Sequence, residues 1–151
     1  MRGDNPPMDD DDYPTCARTY ATLLIYPNAV DPAMVTERLG IEPSSWQRRG
    51  EVIPRTNRPP KVAELSGWFL TSKSQVESKD SRRHVAWLLD QIASKSAVIR
   101  SLQETGCTMA ISCYWLSKDG HGGPTMPPSQ MKTLGELNIE LWFDIYGPYE
   151  D

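Results

Sequence analysis

Apolar and polar positions follow two periods along this chain, and the switches between them mark its elements. Thr19 to Tyr26 alternates with period two: Ala21, Leu23 and Ile25 share one side, and Tyr20, Thr22, Leu24 and Tyr26 the other. Its β-branched and aromatic content predicts a strand, and two largely apolar sides place it centrally in a sheet. Pro27-Asn28 breaks it. The period then becomes helical. Asp31 is a suitable N-cap, because its carboxylate can accept from first-turn amides that lack partners. Pro32 fits the first helical position, where its missing N–H is not needed. Val35 and Leu39 share a helix face, and Gly40 stands where a left-handed terminal residue is wanted. Residues 43–65 hold four prolines and no clean period, which predicts a long loop of the kind that often carries function.

Gly67 to Ser72 is predicted as a second strand, with Trp68 and Leu70 alternating against Phe69 and Thr71. The longest helix is predicted from a cap at Asp80 or Ser81 to Gly106, on a stripe of Val85, Leu89, Ile92, Ser96, Ile99 and Leu102. Cys107 to Leu116 is a third strand, with Met109, Ile111, Cys113 and Trp115 on one face. Pro127-Pro128 opens a short helix containing Met131 and Leu134. Asn138 to Tyr146 alternates as a last strand: Ile139, Leu141, Phe143 and Ile145 point to the core, and Glu140, Trp142, Asp144 and Tyr146 occupy the second face.

Strands alternating with helices predict an α+β domain. The expected architecture is a four-stranded, mainly antiparallel sheet with helices on one face, of ferredoxin-like type. Two strand–helix–strand halves would be joined by the long helix. A short echo supports the duplication: Leu39-Gly40-Ile41-Glu42 ends the first helix and Leu137-Asn138-Ile139-Glu140 the third. Gly and Asn are the residues that best tolerate the left-handed terminal position.

A chain of 151 residues suits a single domain. Residues 1–15 are polar, acidic and aperiodic, and are expected to be a disordered arm ahead of one domain at 16–151. The formal charge of −4 lies entirely in that arm, where Arg2 stands against Asp4, Asp9, Asp10, Asp11 and Asp12. The remainder is neutral, which argues against a broadly basic nucleic-acid surface. Residues 46–62 are locally basic through Arg48, Arg49, Arg55, Arg58 and Lys61. Cys16, Cys107 and Cys113 are odd in number and form no Cys-x-x-Cys pair, so reduced thiols in a cytosolic protein are expected rather than a disulfide framework. No apolar run approaches the ~18 residues of a membrane span, and no secretory signal is expected at the N-terminus.

Several of these segments, in this order and spacing, resemble a known family. They are Ala21-Thr22-Leu23-Leu24-Ile25-Tyr26, Asp31-Pro32 with Val35-Thr36, and Leu39-Gly40-Ile41-Glu42-Pro43. Gly50, Gly67-Trp68, the block from Cys113-Tyr114-Trp115 to Gly122-Gly123-Pro124, and Phe143-Asp144-Ile145-Tyr146 follow. Together, over about residues 18–147, they resemble the bacterial domain of unknown function family 4279. The resemblance implies a small cytosolic bacterial domain and brings no agreed catalytic residues. Small families of this kind include immunity proteins that neutralise a partner toxin, which is an analogy of fold and size alone.

Three groups of residues are candidates for chemistry. His121, in the Gly120-His121-Gly122-Gly123 loop, suits a general base, a ligand or an anchor. Neither it nor His84 has a carboxylate or Cys at metal-ligand spacing, so no metal or cofactor is expected. The favoured reading is a tight turn whose imidazole bonds a backbone carbonyl. Trp46 beside Arg48 and Arg49 offers an aromatic platform next to cations, against the simpler reading of a solvated loop. Trp68, Trp115 and Trp142 lie on predicted strands, and Trp142, Tyr114 and Tyr146 suit a partner surface on the uncovered sheet face, a homodimer included. No nucleophile–base–orienter set or cofactor motif is visible. The expected function is therefore binding, to a protein partner rather than to nucleic acid or membrane. The alternative is a small-molecule or nucleotide-binding enzyme with its site between the 43–65 and 117–127 loops, using His121 as acid/base and Arg48 or Arg49 as anion clamp.

Overall fold

A computed structural model describes residues 9–148. In chain order the elements are β1 (Cys16–Tyr26), α1 (Pro32–Leu39), β2 (Ser45–Gln47), β3 (Val52–Ile53), β4 (Lys61–Val62) and β5 (Gly67–Thr71). Then come α2 (Ser81–Ile92), a 3-10 turn (Ala93–Lys95), α3 (Ser96–Glu104), β6 (Thr108–Ser117), α4 (Pro128–Leu137) and β7 (Glu140–Tyr146). The α+β class expected from the sequence is the one found.

The sheet differs from the expectation. It has five strands in the order β2-β5-β1-β6-β7, and β3 pairs with β4 in a separate ribbon. β1 is antiparallel to β5 and to β6, but β6 and β7 are parallel. The two expected halves are therefore not equivalent, and the four-stranded, mainly antiparallel, ferredoxin-like arrangement is replaced by a mixed sheet. The reason lies in the connections. After α1 the chain remains near the end of β1, since Trp46 pairs with Trp68 and Trp68 with Ile25, so β5 returns antiparallel. After β6, the 118–127 loop and α4 carry the chain back across the sheet, and Glu140 starts β7 beside Ala110 near the beginning of β6.

The local signals behind α1 hold. Asp31 accepts from the Ala33 amide at 2.8 Å, Pro32 opens the helix, and Gly40 caps it with φ 69°. Asn138 takes the same left-handed conformation after α4, with φ 55°. The long predicted helix is broken at Ala93–Lys95. Ser94 lies within that break and Ser96 follows it, and serine competes for backbone hydrogen bonds within helices. The bend lets α2 pack on β1 while α3 reaches α1 and α4.

Among the described residues, helices α1 to α4 cover one side of the sheet. Ala21, Leu23 and Ile25 of β1, Trp68 and Leu70 of β5, and Met109, Ile111 and Cys113 of β6 meet Val35, Leu39, Leu88, Ile92, Ile99, Leu102 and Leu134 there. Leu23 sits at the centre of this layer between Leu70 and Ile111. Truncating such a leucine to alanine costs roughly 2–5 kcal/mol. Among the described residues no helix is long and apolar enough to cross a membrane.

The acidic arm expected at 1–15 divides. Residues 1–8 lie outside the described residues. Residues 9–15, expected to be disordered, are tied down. The Asp10 amide donates to Asp80 Oδ2 at 2.7 Å, and the Lys79 amide to the Asp11 carbonyl at 2.9 Å. The Asp11 carboxylate meets the Arg83 guanidinium at 2.8 Å. Tyr13 donates its hydroxyl to the Gly123 carbonyl at 2.7 Å and sets its ring edge-on to Trp115. Asp9 and Asp11, which look like part of a solubilising tail in sequence, find their cations in Arg82 and Arg83 some 70 residues on, at the start of α2.

Candidate functional site

The side of the sheet away from the helices carries the most distinctive surface. On it stand Tyr20, Thr22, Leu24 and Tyr26 of β1, alternating with the buried core positions. Register sets Tyr20 opposite Tyr114, and the two rings stack with centroids 4.9 Å apart and planes 20° apart. Tyr146 of β7 continues the file, 5.1 Å from Tyr114. Cations border it: the Arg18 guanidinium lies 5.7 Å from the Tyr20 ring and 5.9 Å from the Tyr114 ring, and Lys73 Nζ lies 5.2 Å from Tyr20. Such contacts are worth roughly 0.5–1 kcal/mol each where exposed. At the other end Tyr26 meets Phe69 edge-on at 5.9 Å. Trp142, 42 % exposed, stands on the same side of β7. Among the described residues no helix covers this face. A hollow of about 520 Å³ opens beside Tyr20, lined also by Arg18, Lys73, Lys79, Glu77 and Asp12.

The residues singled out in the sequence do not converge. Trp68 is fully buried, and its indole N–H donates to Thr36 Oγ1 at 2.9 Å, fastening β5 to α1. Trp115 is fully buried beneath Tyr13. Both are core residues, because alternation puts them on the helix side of their strands. Trp46 is half exposed on the edge strand β2, with the Arg48 guanidinium 4.6 Å from its ring. Arg48 is in turn held by the Asp31 carboxylate at 2.8 Å, which raises the Arg48 pKa and lowers that of Asp31. This arginine is engaged in tying the loop to the α1 cap. Arg49 borders a smaller hollow with Tyr26, Asn28 and Leu65.

His121 lies at the opposite end of the sheet from these. The eight steps along β6 from Met109, level with Ile25 and Trp68, to Ser117 separate them by about 26 Å at ~3.3 Å per residue. A site that uses His121 together with Arg48 or Arg49 is therefore not formed. The His121 ring is exposed, and no described residue bonds it; its carbonyl accepts from Ser117 Oγ at 2.8 Å instead. The loop makes the tight turn expected of it, but among the described residues no bond from the imidazole to a carbonyl holds that turn. Gly120 and Gly122 have φ of 87° and 85°, and a β-carbon on Gly122 would collide with Thr15. The glycines let residues 13–15 lie close against the end of β6.

A serine and a histidine do meet elsewhere. His84 Nε2 donates to the Ser78 carbonyl at 2.8 Å, which leaves Nδ1 to accept from Ser72 Oγ at 2.6 Å. Ser72 in turn accepts from the Ala21 amide at 2.9 Å. Ser72 is fully buried and His84 nearly so, and the pair links β1, β5 and α2, with His84 at the floor of the hollow beside Tyr20. Burial lowers the His84 pKa below its usual 6.5 and keeps the ring neutral. Burial likewise pushes the Cys16 and Cys113 thiols up to about 11, away from nucleophilic thiolate. Among the described residues no cluster of three His, Cys, Asp or Glu side chains could hold a metal.

The alternation in the sequence offers Tyr114, Tyr146 and Trp142 as a partner surface and puts Tyr20 on the second side of its strand, but it marks neither Tyr20 nor Arg18 nor Lys73 as part of that surface. The signal available was Arg18 and Tyr20 in alternation on a strand; what was lacking was the register that lays Tyr20 against Tyr114. Comparison with known proteins adds the family and no function. Neither a curated protein nor a solved structure matches the chain. A family model described as a domain of unknown function (DUF4279) matches residues 17–148, and the chain belongs to that family.

Proposed function

We propose that this domain works by binding a protein partner on the uncovered face of its sheet. The observation that carries the reading is the file Tyr20–Tyr114–Tyr146, which crosses three strands with Arg18 and Lys73 along its border. Tyrosine and arginine are the residues that anchor protein interfaces, since a large rigid ring with a polar tip buries area at small entropic cost. The partner surface that fits is apolar, with a carboxylate placed to meet Lys73. The buried, unpaired cysteines suit work in a reducing cytosol. Neutralising a toxin, as bacterial immunity proteins do, is one form such binding would take.

The test is affinity capture with the full chain and with a Tyr20→Ser/Tyr114→Ser variant, followed by titration of purified partner. The reading requires a partner that binds the native chain and loses roughly tenfold or more in affinity with the variant. A partner held equally by both sinks it.

A further inference from the structure

The outer edge of β7 is the second unusual surface. It ends the sheet, and among the described residues no strand pairs with it. Proteins blunt such edges with short strands, lysine, proline or bulges. The opposite edge, β2, is only three residues long, whereas β7 runs seven residues, Glu140-Leu141-Trp142-Phe143-Asp144-Ile145-Tyr146, without lysine or proline. Large apolar side chains remain exposed on it: Trp142 at 42 % and Ile145 at 52 %. Ile145 is notable because it lies on the helix side of the strand, in line with half-buried Leu141 and Phe143, yet beyond the cover of the helices.

We propose that two copies of this chain pair antiparallel through β7, with a two-fold axis at Phe143, to make one continuous sheet. The strand is self-complementary in that register. Residues opposite one another share a face of the sheet, so the axis must pass through a residue pair. With Phe143 facing its own copy, Leu141 faces Ile145 and covers it, Trp142 faces Asp144, and Glu140 faces Tyr146. No like charges oppose each other, and each carboxylate lies beside an aromatic ring. The chain from residue 15 onward is also neutral in sum, so two such domains meet without net repulsion. The dimer stands independently of the open-face reading, and would set two tyrosine files side by side on one surface.

Sedimentation equilibrium of the full chain tests this. The expected result is a concentration-dependent dimer, whose dissociation constant rises roughly tenfold or more in Ile145→Lys, with the melting temperature unchanged at concentrations where both chains are monomeric, because Ile145 is exposed in the single chain. A Trp142→Cys/Asp144→Cys variant gives a second readout. Opposed Cα atoms on antiparallel strands lie about 4.5–5.5 Å apart, within disulfide range, so oxidation should yield a covalent dimer. Cys16, Cys107 and Cys113 are buried and give no background. A chain that stays monomeric at all concentrations overturns the proposal. So does a dimer that ignores Ile145→Lys and whose paired cysteines fail to cross-link. A monomer that still captures a partner through Tyr114 defeats the dimer alone, and a dimer that captures none defeats the open-face reading alone.

Discussion

Gly122 lies so close to Thr15 that a β-carbon on it would overlap the threonine side chain. The contact explains the glycine loop after β6. Lys118 donates its amide to the Thr15 carbonyl at 2.8 Å, and Tyr13 reaches the Gly123 carbonyl and Thr125. The loop is shaped to receive the segment ahead of β1, and in doing so it seals Trp115 beneath Tyr13.

Gly122→Ala should therefore destabilise the fold by roughly 2–4 kcal/mol, combining a left-handed backbone cost with a steric clash. Gly123→Ala, whose β-carbon meets nothing, should stay within about 0.5 kcal/mol of the parent. Urea unfolding measures both. Placing Gly122→Ala in a Thr15→Gly background, which removes the β-carbon it would meet, should relieve the steric part and leave the backbone part. Equal effects at the two glycines would contradict the packing argument.

His121 should prove dispensable for stability. The loop uses its carbonyl, which any residue supplies, while the ring is exposed. His121→Ala is expected to shift unfolding free energy by less than about 0.5 kcal/mol. A loss of several times that amount would show that the imidazole carries a contact the loop depends on.

The thiols should be silent until the fold opens. Cys16, Cys107 and Cys113 are buried, and burial holds Cys16 and Cys113 at about 11. Titration with a disulfide reagent at neutral pH is expected to label none in the native chain and all three once urea unfolds it. Rapid labelling of the native chain at a rate independent of stability would refute the burial assignment.

Elements with local causes were legible in the sequence, and relationships over long separations were not. Asp31, Pro32, Gly40 and Asn138 act on their own neighbours, so caps and helix ends could be named from them. The alternation through Leu23, Ile111 and Leu141 likewise marks buried faces. Parallel pairing of β6 with β7 leaves no local mark, because it depends on how far α4 carries the chain back. The same holds for the arm, whose aspartates read as a tail until Lys79, Arg82 and Arg83 are brought beside them. The site followed suit: a tryptophan on a strand is as well suited to core as to surface, and only the sheet's covered side decides that Trp68 and Trp115 are core while Trp142 is not.

Stability should fall in two separate steps on acidification, one from His84 and one from Asp80. The His84 pKa is lowered below 6.5 by burial, so between that value and its folded pKa the unfolded chain takes up a proton that the native chain refuses. Its stabilising contribution is therefore complete above about pH 6.5 and diminishes as pH drops below it. Asp80 behaves differently. Its carboxylate is fully buried, which opposes ionisation, yet hydrogen bonds from the Arg82 guanidinium and the Asp10 and Arg82 amides outweigh burial and lower its pKa below 3.8. Its contribution is present above about pH 4 and is lost as pH falls through the lower folded value. Urea unfolding across pH 3–7 should show both regions of positive slope. His84→Gln should remove the upper one while costing roughly 1–3 kcal/mol at pH 7 through the Ser72 and Ser78 bonds. Asp80→Asn should weaken the lower one and cost roughly 1–3 kcal/mol at pH 7, because it removes the charged acceptor that the Arg82 guanidinium meets at 2.7 Å and leaves that guanidinium the Asp9 carboxylate at 3.7 Å. An upper slope that survives in His84→Gln would assign that step to another group and remove the buried Ser72–His84 link from the account of stability.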